Sequence, residues 1–393
     1  IKRAGGHYKA EVSVYHAGNS LHRSNYTLNS STGMTALRRM LDERLPGPDY
    51  GIAWPLVVEG LAGIVIDTVR EGTPEVVLGQ ITEDEGLRWR IDNLIIEQDA
   101  NVLWADGGTG KSMFALFLAT LVSEGYADTR HGLVIEPGSV LYLDYETSST
   151  SISSRIRRIH KGLGIDGKSN IVYKRMHLPL SEDIDTIRDI VYKHDSVLLI
   201  VDSMGLAVAG ELESAENVLD YFSALDLIPA TSLTITHSNR AGTIFGSAFT
   251  SNRARSVWEA KQTAGGHGSD SIDFSLFHRK ANDVPYQSAQ SWRVEFKDDT
   301  VTYKRIDTFD TEARGELGYG QLVQKFLDEG PRTREELTGL IAELKSISSS
   351  DARGMNKLAS ALDHAIANHV KNSVIIDNAG VLSATTGDDT WTM

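Results

Sequence analysis

The sequence predicts an α/β fold in which a mainly parallel sheet is covered by helices, preceded by a small adaptor and followed by a winged-helix-like domain. Three observations predict it. From Trp89 onward short apolar, β-prone runs alternate with helical stretches, the pattern of a parallel sheet layered by helices. A glycine-rich string, Ala105-Asp106-Gly107-Gly108-Thr109-Gly110-Lys111-Ser112, lies between the first such run and a helix. After Asp310 the pattern changes to three helical stretches and a hairpin. The chain has 393 residues, more than the roughly 250 to 300 at which single cores stop growing. The expected boundaries are 1–87 for the adaptor, 88–310 for the sheet domain and 311–393 for the C-terminal domain.

The first 45 residues read as β-prone, with alternation through Val12, Val14 and Tyr26, and carry a local excess of cations. From Trp54 to Arg70 the apolar residues Leu56, Val57, Leu61, Ile64, Val65 and Val69 recur at helical intervals, and Gly72-Thr73-Pro74 stops them. In the sheet domain, strands are expected over Asn101–Trp104, Val140–Asp144, Ser196–Asp202 and Ser232–Thr236, with a helix over Met113–Ser123. Ser271–Phe277, Ser291–Phe296 and Thr300–Arg305 read as antiparallel additions at one side. Helices over Gly320–Asp328, Thr333–Leu344 and Met355–His369 precede a hairpin over Ser373–Leu382 that turns at Asn378-Ala379-Gly380. Eight Lys and Arg against twelve Asp and Glu from Glu312 onward leave that domain's role open between docking protein and binding DNA.

Composition narrows the class. Hydrophobic residues make up 41% and charged residues 23%, the balance of a globular protein and not of a disordered chain. No apolar run reaches the about 18 to 20 residues that span a bilayer, and no secretory core is present, so the expectation is a cytoplasmic protein with no membrane partner. The absence of cysteine excludes disulfides and thiolate metal sites. A net charge of −14 argues against a coat of basic surface. It leaves room for a ring whose basic residues line only a central channel.

The glycine-rich string has the chemistry of a phosphate cradle. Gly107, Gly108 and Gly110 let the backbone curl around anionic oxygens, Thr109 lies among them, Lys111 reaches the outer phosphates, and the following helix directs its positive end at the same anion. Ser112 has a hydroxyl suited to Mg²⁺, and Asp202 closes the run Leu198-Leu199-Ile200-Val201-Asp202, where an acid completes a metal shell or else caps a helix. ATP and Mg²⁺ are therefore the expected cofactors. Hydrolysis needs a group that orients or deprotonates water, and Asp144-Tyr145-Glu146 supplies Glu146, with Asp144 nearer the strand body.

Gly-Gly-Thr-Gly-Lys-Ser, Leu-Tyr-Leu-Asp-Tyr-Glu, Leu-Ile-Val-Asp-Ser and Thr-Ile-Thr-His-Ser-Asn together resemble the RecA/DnaB superfamily of P-loop ATPases, and within it the RepA-like hexameric replicative helicases of plasmids and phages. The resemblance spans about residues 88 to 308. It implies a RecA-like core, Glu146 as the catalytic glutamate and His237 as the sensor of the outer phosphate. It also implies that the loop Ser238–Phe245, with Arg240, faces a nucleic-acid strand, and that Arg253, in the segment Gly246 to Trp258 that follows as in the relatives, contacts the strand with it. Arg279 or Lys280 would reach a neighbouring subunit's nucleotide, although a solvated strand end explains that pair as well. The cluster Arg155, Arg157, Arg158, His160 and Lys161 reads as a solvated helix face. The implied activity is an ATP-driven helicase or translocase, a hexameric homo-oligomer acting on single-stranded DNA with replication partner proteins. A RecA-like ATPase for recombination or repair without unwinding, and a ring scaffold or loader with an empty channel, remain as alternatives.

Overall fold

The computed structural model describes residues 2–4, 6–71, 88–126, 133–166, 169–239, 241–246, 248–266, 268–282, 284–372, 374–378 and 380–385. The chain divides into two compact units, Ile1–Asp84 and Glu85–Met393.

The first unit begins with β1 (Lys2–Ala4), β2 (His7–His16) and β3 (Asn19–Thr27), an antiparallel sheet in that order. Helices α1 (Ser31–Arg44), α2 (Gly47–Tyr50) and α3 (Trp54–Glu71) follow. The β-prone reading of the first 45 residues therefore describes only part of them, because the stretch after Ser30 is helical. Ser30 caps α1 by accepting the Gly33 amide at 3.4 Å, and Leu37 and Leu41, four apart, bury one face of the helix. Tyr8 and Ala10 of β2, Leu28 and Ala62 of α3 form a small core. The expected helix stop at Gly72-Thr73-Pro74 lies outside the described residues.

In the second unit β4 (Trp89–Ile91), β5 (Ile95–Ile96) and β6 (Ala100–Ala105) lead to α4 (Lys111–Glu124). Then come β7 (Ser139–Asp144), α5 (Ser149–Leu163), β8 (Val172–Arg175), α6 (Ile184–His194), β9 (Ser196–Asp202) and α7 (Met204–Ala207). They continue through α8 (Ala215–Leu225), β10 (Thr231–His237), α9 (Ala248–Arg253), β11 (Ser256–Gly265), β12 (Ser271–Ala281), β13 (Gln290–Lys297) and β14 (Thr300–Ile306). Nine strands form one sheet in the order β14-β13-β12-β11-β6-β10-β9-β7-β8. The strands from β11 to β8 are mutually parallel, and β12, β13 and β14 extend the sheet antiparallel.

The central strands are apolar on both faces, as a parallel sheet requires, and Leu198 to Val201 are fully buried. One face packs on α4 and α5 through Phe114, Phe117, Ile152 and Ile159. The other packs on α6 and α8 through Ile187, Val191, Val218 and Phe222. Register brings the strand ends to one edge: His237 pairs with Ala105, and Asp144 with Asp202. Ligands of open α/β sheets bind at this carboxyl edge. The sequence predicts no strand over Ser256–Gly265, where β11 forms and joins β6 to the antiparallel strands.

Two 3-10 turns, Thr308–Asp310 and Glu312–Glu316, lead to α10 (Tyr319–Asp328), β15 (Arg332–Thr333), α11 (Arg334–Leu344), α12 (Ala352–Lys371), β16 (Ile375–Asn378) and β17 (Val381–Ala384). The strands pair in the order β15-β17-β16. This helix and strand order is that of a winged helix, with its own core around Leu322, Leu337, Ile341, Leu358, Leu362 and Ile366. Ala379, in the expected hairpin turn, lies outside the described residues. No helix among the described residues is long and apolar enough to cross a membrane.

Candidate active site

The loop between β6 and α4 is shaped by glycine. Gly108 and Gly110 take left-handed φ values of 81° and 90°, which a side chain disfavours. A Cβ built on Gly107, Gly108 or Gly110 meets nothing within 4 Å, so the space above the loop is open. Thr109 closes the turn by donating its hydroxyl to the Asp106 carbonyl at 2.8 Å. The Lys111 ammonium folds into the loop and donates to the carbonyls of Ala105 at 2.8 Å and Asp106 at 2.7 Å. Burial pulls the Lys111 pKa down to about 8, against the opposing pull of Asp202, Asp106 and Glu146. A cation so placed gains from an anion above the loop.

Asp202 ends β9 beside it. Its carboxylate accepts the Tyr142 hydroxyl at 2.6 Å and a hydrogen bond from Ser112. Burial pushes the Asp202 pKa up, those two hydrogen bonds pull it down, and the charges of Glu146 and Asp144 push it up further. A divalent cation would relieve that burial cost. Among the described residues no three His, Cys, Asp or Glu side chains cluster as a metal cage. One carboxylate and one hydroxyl are what Mg²⁺ needs when phosphates and water complete its shell. The loop and this pair thus fit a magnesium nucleotide.

The two acids after β7 divide the work. Asp144 is fully buried and accepts the backbone amides of Glu146 at 2.9 Å and Thr147 at 3.0 Å, with the Tyr173 hydroxyl at 3.0 Å on its other oxygen. Its amide partners hold the turn, and Tyr173 and Arg175, the latter 3.5 Å away, tie it to β8. Glu146 is the exposed member, and its Oε1 accepts the Ser203 hydroxyl at 2.5 Å. His237, at the end of β10, completes the group: Nδ1 lies 3.5 Å from the Lys111 ammonium and Nε2 lies 3.8 Å from Glu146 Oε1. Immediately beyond it the Ser238 hydroxyl hydrogen-bonds the Asp106 carboxylate, and the Ser238 amide donates to the Ala105 carbonyl at 3.1 Å.

Lys111, Ser112, Asp202, Glu146 and His237 are therefore brought together by four strand ends. Tyr142, Ser203, Asp106 and Ser238, which support them, were not singled out from the sequence. The alternation of β7, which turns Tyr142 to the same face as Asp144, is the one signal that pointed to any of them.

The remaining candidates lie elsewhere. Lys280 donates to the carbonyls of Ser251 at 2.8 Å, Asn252 at 2.8 Å and Ala254 at 2.5 Å, closing the C-terminal end of α9. All three protons of its ammonium have partners, so within the subunit it caps a helix and does not reach for a phosphate. Arg279 donates to Glu259 at 2.6 Å and Glu316 at 2.8 Å, and Lys261 joins the same two acids. Arg253 pairs with Asp226. Its helix leads into Ser256, which sits opposite Asn101 at the start of β6, far from the phosphate loop. Arg240 lies outside the described residues. In the basic stretch of α5, Arg157 is exposed, His160 is buried near Glu124 and Lys161 pairs with Asp299.

A family model described as an AAA domain matches residues 64–243, which takes in the phosphate loop and the ends of β7, β9 and β10. Among solved structures, a KaiC-like protein from the hyperthermophilic archaeon Pyrococcus horikoshii OT3 is similar at 15% identity and a TM-score of 0.40, covering 55% of this chain and 93% of that one. No curated protein matches the sequence. The sheet order, the phosphate loop and the AAA-domain match make the central part of the chain a RecA-like P-loop ATPase domain.

Proposed function

We propose that the chain is an ATP-driven motor on single-stranded DNA, a ring-forming helicase or translocase of the RepA-like kind that assembles as a homo-oligomer. The observation that carries this reading is the position of His237. It stands 3.5 Å from Lys111 and 3.8 Å from Glu146, and the next residue opens the loop assigned to the strand. Ser238 also bonds Asp106 of the phosphate loop. A loop anchored at both the phosphate cradle and the catalytic carboxylate moves when the occupancy of the cradle changes.

In this reading the nucleotide with its Mg²⁺ supplies the transferable phosphoryl group and the metal's charge. Lys111 leaves the loop carbonyls to neutralise the outer phosphates, and the amides of Gly108 to Ser112 cradle them. Ser112 and Asp202 would hold the metal. Glu146, its Oε1 fixed by Ser203, orients water and accepts its proton on the carboxylate. His237 reports the outer phosphate to the loop from Ser238 to Phe245. Arg279 is the stronger candidate for a cation supplied across a subunit boundary, since its partners are side-chain carboxylates that can be exchanged, whereas Lys280 is held by backbone. Mixing Arg279→Ala subunits with wild type at graded ratios should then silence more sites than the mutant fraction alone; activity linear in the wild-type fraction returns Arg279 to a structural role.

Turnover of ATP with and without single-stranded DNA, followed by strand displacement on a forked duplex, tests the function. Stimulation and displacement are expected. Stimulation without displacement points to a recombination or repair ATPase, and the absence of any stimulation points to a scaffold or loader.

A further inference from the structure

Where the sheet meets the C-terminal domain, the connection from β12 to β13, the end of β14, the first turns of α10 and the end of α12 enclose a cleft of about 660 Å³. Small-ligand sites are of this size, roughly 300 to 1,000 Å³, and favour such junctions. No residue of the phosphate loop lines the cleft. Its basic side chains are Arg305, Lys325 and His369, and its acid is Asp307. Lys325 donates to Asp307, so those two charges answer each other. Arg305 has no such partner: among the described residues its guanidinium donates only to the Gln290 side-chain carbonyl and lies 5.0 Å over the Trp292 ring. Burial pushes its pKa below the usual guanidinium value. An anion in the cleft would offset that cost.

Three further side chains narrow the kind of anion. A Cβ on Gly320 would lie 2.8 Å from His369 Cε1, so the glycine lets the imidazole rest against α10. Neither ring nitrogen of His369 has a hydrogen-bond partner among the described residues. The side-chain carbonyl oxygen of Gln324 is buried without a donor, while its amide nitrogen donates to Asp328 at 2.7 Å. A buried acceptor of this kind calls for an N–H or O–H on the ligand. Tyr286, 66% exposed, is held edge-on to His278 with ring centroids 5.8 Å apart and offers a surface to a flat ring.

We propose that this cleft is a second nucleotide site, specific for a nucleoside 5′-monophosphate group, with the phosphate on Arg305 and His369, the base on Tyr286 and an exocyclic amine of the base on Gln324. A guanidinium binds a phosphate through two parallel N–H bonds. One unpaired guanidinium matches a single phosphate, and the carboxylate of Asp307 disfavours a longer phosphate chain. A free nucleotide and the phosphorylated 5′ end of a strand both present this group, and the test separates them. The site is apart from the phosphate loop and does not rest on the motor reading.

Isothermal titration of the full chain with AMP, without Mg²⁺, reads the site directly. We expect saturable binding that Lys111→Ala leaves within about twofold, because the phosphate loop takes no part in it. Arg305→Gln should weaken it about tenfold or more. Tyr286→Ala should weaken it about fivefold or more, and since that ring stands at the surface, its loss cannot be put down to misfolding. Adenosine, which lacks the phosphate, should bind about tenfold or more weakly than AMP. Displacement of AMP by a 5′-phosphorylated trinucleotide and not by its 5′-hydroxyl form assigns the site to a strand end; AMP that stays bound against both assigns it to the free nucleotide. No AMP binding by the wild type, loss of binding in Lys111→Ala, adenosine binding as tightly as AMP, or wild-type affinity in both Arg305→Gln and Tyr286→Ala overturns the proposal.

Discussion

The two ends of the parallel sheet treat charge in opposite ways. At the carboxyl edge Lys111, Asp202, Glu146 and His237 converge on open space, and burial moves the first two away from their ordinary pKa values. At the amino edge the cations are already spent: Arg253 on Asp226, Arg255 on Asp99 and Lys280 on the carbonyls that end α9. Both edges present cations close to strand ends, and in sequence they look alike. What separates them is the direction of the strands. At the carboxyl edge helices begin and point their amides outward, toward the same open space that the charged side chains face. At the other edge helices end, and carbonyls and carboxylates there engage Arg253, Arg255 and Lys280.

The largest way to break that contrast is Lys111→Ala. Loss of the one ammonium in the cradle should lower ATP turnover by about 100-fold or more. Near-normal turnover would mean that the phosphates bind elsewhere. Glu146→Gln should cost turnover about 100-fold while nucleotide affinity stays within a few fold, because the amide keeps the shape and the Ser203 contact but loses basicity. A collapse in affinity with normal residual turnover would make Glu146 a structural residue like Asp144.

A smaller effect follows from the depressed Lys111 pKa. In the free site the lysine becomes neutral as pH rises through about 8, while in the complex the phosphates keep it charged. Binding therefore takes up a proton above that pH, and affinity falls as pH rises. Between pH 7 and 9.5 the loss should be roughly tenfold or more, measured by titrating nucleotide into the Glu146→Gln variant. Affinity that is flat or rises over this range would contradict the burial of a lone cation in the loop.

Much of this was legible in the sequence for a physical reason. The phosphate loop and the strand-end acids are local features, each set by a few adjacent residues and the period of the strand. Helix α1 was also legible in principle, from Ser30 as a cap and Leu37 and Leu41 four apart, but the alternation before it drew the reading toward strand. Strand β11 was hidden because Glu259, Lys261 and Gln262 break its apolar run, and its stability comes from pairing β6 on one side and β12 on the other. The partners of Arg279 and Lys280 could not be read at all. Glu316 is 37 residues from Arg279 and the Lys280 acceptors are 26 to 29 residues away, so only the folded sheet brings them together.

Lys280 gives the mildest and most discriminating test, because the two readings of it differ in kind and not only in size. As a helix cap it contributes stability within one subunit. Replacing it by Met keeps the aliphatic stem and removes three charged hydrogen bonds to carbonyls. Because the side chain is partly solvated, the cost should be about 1 to 2 kcal/mol and not the full value of three such bonds. In a domain of this size that is a melting temperature lower by about 2 to 8 °C. Turnover per folded subunit, measured well below the melting point, should stay near wild type, since the ammonium faces α9 and not a phosphate. The two measurements must be made on one preparation, because a destabilised subunit also loses activity. A Lys280→Met protein that melts like the wild type but no longer hydrolyses ATP would place the lysine at a neighbour's nucleotide and remove the contrast between the two edges of the sheet.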